Sequence, residues 1–142
     1  MHKIWKCCRP FPAGLGIRRK VAPFHLTDRS LKHCIDFAMP IGTPVLAAQD
    51  GTVIEVVNNF KKNYTDTRFA DRCNYIILRH PDGNESIYVH LMWHSSRVKS
   101  GEIVQAGQII ALSGNTGYAT YPHLHFGAYD FQGKNIPIIF HN

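Results

Sequence analysis

The 142-residue chain is 44% hydrophobic and 18% charged, which excludes a disordered polymer and leaves one domain with its own core. Sixteen Lys and Arg against ten Asp and Glu give a formal charge of +6, a balance that favours polyanionic contacts. The basic residues are scattered, with Arg18-Arg19-Lys20 and Lys61-Lys62 the only runs, so nucleic acid is not expected as a partner. No integral membrane segment is expected, because no long apolar stretch is present.

Residues 1–24 carry Pro10, Pro12, Gly14, Gly16 and Pro23 and read as an irregular N-terminal arm. They lack the apolar centre of a signal peptide. Residues 25–142 read as one β domain. Pro44 to Ala48 runs into Asp50-Gly51, a hairpin signal, and then into the strand pattern of Thr52 to Val57. A polar stretch from Asn58 to Arg72 reads as a long loop. Tyr75 to Arg79 then meets Ser86 to His90 across Pro81-Asp82-Gly83-Asn84. Further runs follow at Gln108–Leu112, His123–Tyr129 and Ile136–Phe140. No segment keeps a 3.6-residue apolar period for three turns, so an all-β, single-domain fold of antiparallel sheets with long loops is expected.

Cys7, Cys8, Cys34 and Cys73 form no CxxC pair, which argues against a structural zinc knuckle. A Cys34–Cys73 bridge is open to the chain, with two buried thiols as the simpler expectation. Ser113-Gly114-Asn115-Thr116-Gly117 lacks the Gly-Lys-Ser/Thr ending of a phosphate loop and reads as a turn that delivers the next strand.

The chemistry concentrates in Tyr121-Pro122-His123-Leu124-His125-Phe126. On a strand, residues i and i+2 share a face, so two imidazoles stand side by side, and neutral imidazole suits zinc and its neighbours. Upstream, Asp36 interrupts the apolar run Cys34-Ile35-Asp36-Phe37-Ala38-Met39. A carboxylate buried there needs a partner or a cation. His90 closes the run Ile87-Tyr88-Val89 and is a second inward candidate. His80 beside the Pro81 turn and His94 in Trp93-His94-Ser95 read as surface residues, while His2 and His141 are terminal and carry no signal.

Three blocks in order resemble the lysostaphin-type, LytM-like metalloendopeptidases. They are residues 35–53, Val89-His90-Leu91, and Gly114 to Gly117 followed by Pro122 to Phe126. The resemblance implies a LytM-like barrel-sandwich and Zn2+ as cofactor. Its zinc ligands would fall on Asp36, on His125 and on one earlier histidine, with His90 and His123 as catalytic residues. The usual position of that first ligand is Lys32 here. His33 lies three residues before Asp36, and on an extended strand such residues face opposite ways, so His25 is preferred and His33 stays the alternative. Tyr121 stands where relatives carry Gly, at the rim of the expected groove.

The function implied is hydrolysis of peptide bonds in peptidoglycan stem peptides or cross-bridges, in the cell envelope, with an anionic cell-wall polymer as a further contact. The rival is a catalytically inactive module of the same fold that binds and activates another cell-wall hydrolase. Retention of Asp36, His90, His123 and His125 together argues for the enzyme.

Overall fold

The computed structural model describes residues 3–15, 17–20, 29–64, 68 and 71–141. In chain order the strands are β1 (Trp5–Cys7), β2 (Arg18–Lys20), β3 (Ile35–Ala38), β4 (Pro44–Leu46), β5 (Gly51–Val57), β6 (Asn63–Tyr64) and β7 (Tyr75–Arg79). They continue with β8 (Glu85–Val89), β9 (Ile103–Val104), β10 (Ile109–Leu112), β11 (Gly117–Tyr118), β12 (His123–Tyr129), β13 (Asn135–Ile136) and β14 (Ile138–Phe140). One 3-10 turn, Arg29–Leu31, precedes β3, and the described residues contain no α-helix. None is therefore long and apolar enough to cross a membrane.

The main sheet runs β2-β3-β12-β8-β7-β5-β9, with β13 paired to β12. Every pairing within it is antiparallel, whereas β1–β14 and β6–β11 are short parallel pairs. One face of this sheet is the core, where Tyr88, Phe126, Leu124, Ile76 and Leu78 are fully buried. The β4–β10 ribbon closes over that face with Val45, Ile110 and Ala111. Period-2 alternation leaves the other face of β12, β3 and β8 for polar residues.

The Asp50-Gly51 hairpin is corrected: β4 pairs with β10, and β5 pairs with β7 and β9. Gly51 is there for space. A Cβ on it would come within 2.6 Å of the Arg79 carbonyl oxygen, so only glycine lets β5 start this close to the end of β7. The Tyr75–Arg79 hairpin does form, and Gly83 takes the positive φ of its turn at 86°.

His80 is also corrected, from surface residue to core. It is 3% exposed, with Nδ1–H donating to the Asp50 carbonyl at 2.8 Å and Nε2 accepting from the Ser86 hydroxyl at 2.8 Å. The Trp5 ring packs on it at 4.8 Å. Within residues 1–24, two segments are tied into the sheets rather than irregular. β1 lies beside β14, β2 lies beside β3, and Trp5, Cys7 and Phe11 are buried. The four cysteines are free thiols.

Candidate active site

β12 and β3 set His125 directly opposite Asp36, and β12 and β8 set Val89 opposite His125. Residues directly opposite in an antiparallel pair project from the same face. His123, two residues before His125, joins that face, and His90 arrives from the residue after β8. Four side chains from three distant segments thus meet: the His90 and His123 rings are 4.6 Å apart, and the His90 and His125 rings 6.2 Å. All four residues are buried.

His125 Nδ1 lies 3.0 Å from Asp36 Oδ1, and His123 Nε2 lies 3.7 Å from the same oxygen. Burial pulls the His125 imidazole down, but its hydrogen bonds with Asp36 and Cys34 outweigh this and push it up to about 9. The pair thus favours one positive charge beside the carboxylate. His90 behaves oppositely. Burial, then the neighbouring His123 and His125, bring it down to about 3, and burial also lowers His123.

The tautomers follow from the partners. His90 Nδ1 meets the Thr116 carbonyl at 2.6 Å and His123 Nδ1 meets the Tyr121 carbonyl at 2.8 Å. A carbonyl only accepts, so each neutral ring carries its proton on Nδ1 and keeps Nε2 as a base.

His90 also sits at φ 71°, a left-handed conformation costly for a residue with a Cβ. The loops around it hold it there. Asn74 Nδ2 donates to the carbonyls of Leu91 and Phe60, and its Oδ1 accepts from the Phe60 amide. Thr116 Oγ1 donates to the Leu91 carbonyl at 2.8 Å. Gly117, at φ 77°, leaves no room for a Cβ against Cys73, and this brings the Thr116 carbonyl to His90. Sequence reading missed Asn74 and Thr116, because positioning through main-chain carbonyls leaves little side-chain signature.

Of the two candidates for a further ligand, His25 lies outside the described residues. His33 lines a groove with Lys3, Arg29, Lys32 and Lys134 whose described lining includes none of Asp36, His90, His123 or His125. Among the described residues no set of three His, Cys, Asp or Glu that could hold a metal ion forms, and Asp36 and His125 stand as a carboxylate and an imidazole in contact at 3.0 Å. Tyr121 packs its ring on His123 at 4.7 Å, forming one wall of the site.

The family model for peptidase family M23 matches residues 30–137. The chain is 39% identical over 110 residues to the peptidoglycan DD-endopeptidase ShyA of Vibrio cholerae, covering 78% of this chain and 21% of that protein. It is 44% identical over 118 residues to lysostaphin of Staphylococcus simulans, covering 82% of this chain and 19% of that protein. The chain therefore spans about a fifth of the length of these curated relatives. Among solved structures, a zinc-containing peptidase from Vibrio cholerae superposes with a TM-score of 0.63 at 30% identity, covering 92% of this chain and 38% of that one. With its fold, its matched residues and these relatives in agreement, the chain belongs to peptidase family M23.

Proposed function

We propose that this chain is a zinc-dependent metalloendopeptidase that hydrolyses peptide bonds of peptidoglycan stem peptides or cross-bridges. The observation that carries the reading is the facing of Asp36 and His125 across β3 and β12, with the bases His90 and His123 beside them. The donor set fits the metal. Zinc takes carboxylate oxygen and imidazole nitrogen, and Asp36 and His125 offer one of each, 3.0 Å apart. Asp36 and His125 would hold it, with His25 as third ligand.

Bound there, zinc supplies a polarised carbonyl and a water of pKa about 7. The rest of the work falls to the chain. The unprotonated Nε2 of His123, 3.7 Å from Asp36 Oδ1, is the acceptor for the proton of the attacking water. His90, pinned by Thr116, lies across from it and orients the water or stabilises the oxyanion. Burial of these rings keeps bulk water from competing for their hydrogen bonds.

The groove lined by Lys3, Arg29, Lys32 and Lys134, against the one carboxylate of Asp130, is a net cationic surface suited to an anionic wall polymer. Such a substrate puts the protein at work in the cell envelope.

The test is metal analysis of purified protein followed by incubation with purified sacculi. About one zinc per chain is expected, with new peptide amino termini that vanish on chelation and return with zinc. Zinc without release from sacculi sinks the wall-hydrolase reading. Absence of zinc together with stimulation of another wall hydrolase would favour the inactive module.

A further inference from the structure

The sheet face that carries the site continues past it. His125 pairs with Val89, Val89 with Tyr75 and Tyr75 with Val57, so one row crosses β12, β8, β7 and β5. The next row on that face runs through Gly127, Ile87, Ile77 and Glu55. Residues directly opposite share a face, so Tyr75 and Glu55 look out on the same side as His125. On the core side of these strands Ser86, Tyr88, Ile76 and Leu78 are fully buried. On the outer side Val89, Ile87, Tyr75, Ile77 and Val57 stay half-buried. An apolar floor therefore leads from the imidazoles to the exposed carboxylate of Glu55.

The Tyr75 hydroxyl donates to Glu55 Oε1 at 2.8 Å. Burial first, and then the Glu55 carboxylate, push this hydroxyl up to about 12, so it keeps its proton and its role as donor. Among the described residues Glu55 has no ion pair, and its Oε2 accepts no hydrogen bond. Glu85, further along the same face, already pairs with Arg79 at 2.8 Å. In a chain of formal charge +6, the floor thus ends on one oriented carboxylate with an oxygen still unused.

We propose that Glu55, oriented by Tyr75, is a specificity-determining residue that receives a primary amine of the peptide substrate. A primary ammonium brings three donors and no acceptor, which suits a carboxylate with one oxygen left over. Neighbouring strands lie about 4.8 Å apart, so Glu55 on β5 stands three strands, roughly 14 Å, from His125 on β12. An extended peptide covers that distance in about four residues. The amine is therefore one on a side chain, or at the terminus, of a short peptide laid along the floor. This deepens the peptidase reading above and rests on it for the reaction, whereas capture of the amine needs no metal.

The experiment uses three soluble pentapeptides of stem type that share one sequence with a single lysine. One has both amines free, one is acetylated on the lysine side chain, and one is acetylated at the amino terminus. Wild type, Glu55→Gln, Glu55→Asp and Tyr75→Phe are compared by steady-state cleavage and by NMR titration of the metal-free protein. Wild type is expected to favour the free peptide over one acetylated form by about two- to fivefold at low salt, through KM and not kcat, and less so at high salt. Whichever acetylation removes the advantage tells a side-chain amine from a terminal one. Glu55→Gln should treat all three peptides alike, Glu55→Asp should keep part of the preference, and Tyr75→Phe should weaken it. A preference retained in Glu55→Gln overturns the proposal, as does an equal loss on all three peptides, which would mark Glu55 as part of the fold alone. Wild type that cleaves none of them defeats the peptidase reading. The titrations then decide Glu55 by themselves, and wild type that binds all three alike, or none, overturns its role.

Discussion

His125 and Asp36 face each other across two neighbouring antiparallel strands, Nδ1 to Oδ1 at 3.0 Å, although 89 residues separate them in the chain. Neither side chain is free to leave, because each strand is held by the ladder on both sides. Asp36→Ala and His125→Ala are therefore expected to lower bound zinc from about one per chain to near zero. His123→Ala should retain zinc while turnover falls by about 100-fold or more. Metal content and peptide release, measured on the same preparations, check this. Equal zinc loss in His123→Ala would reverse the division of roles.

Asn74 holds the left-handed turn at His90 through three side-chain hydrogen bonds, to Phe60 twice and to Leu91 once. Asn74→Ala removes these partners from the Phe60 amide and carbonyl and leaves the Leu91 carbonyl with Thr116 Oγ1 alone, and should cost about 2–4 kcal/mol. Urea denaturation reads the cost as a lower midpoint at unchanged slope. Activity should fall further than stability does, since His90 loses its support.

His80 is a pH-dependent weak point remote from the cleft. Burial lowers its pKa below the ordinary 6.5, against the opposing pull of the Asp50 carbonyl and of the Asp82, Asp50 and Glu85 charges. The unfolded chain then binds more protons, so the His80 contribution is complete above pH 6.5 and is lost as pH falls below it. His80→Gln should be less stable near pH 7.5 and should show a shallower decline between pH 6.5 and 5. Thermal unfolding at stepped pH, taken as the difference between variant and wild type, isolates this residue from the other histidines.

Charge reversal in the basic groove should separate binding from catalysis. Lys32→Glu combined with Lys134→Glu is expected to weaken sedimentation with intact sacculi several-fold and to flatten its dependence on salt. Cleavage of a short soluble peptide should stay within about twofold of wild type. An equal loss on both substrates would mean that the groove acts through the fold.

Much was legible in the chain because it rests on local rules. The alternation in His123–Tyr129 and the turn residues around Gly83 and Gly107 announce strands wherever they occur, and the strands lie there. The failures are non-local. Asp50-Gly51 carries the residues of a hairpin, but its glycine answers to the Arg79 carbonyl, 28 residues further on. His80 follows an exposed-looking strand end, yet Ser86, Asp50 and Trp5 converge to bury it. Trp5 and Cys7 sit in a Pro-rich stretch, and only their pairing with β14 makes them part of the core.

By itself the sequence determined the inventory: an all-β domain, the paired imidazoles on one strand face, and a carboxylate in an apolar run that needed a partner. Period and composition are properties of a few neighbouring residues, and they survive without a fold. Tertiary structure alone decided which groups meet. It set Asp36 opposite His125, turned His90 inward against a main-chain carbonyl, and seated Cys34 over Gly127. Those relations depend on strand register and close approach between distant segments, which no local pattern encodes.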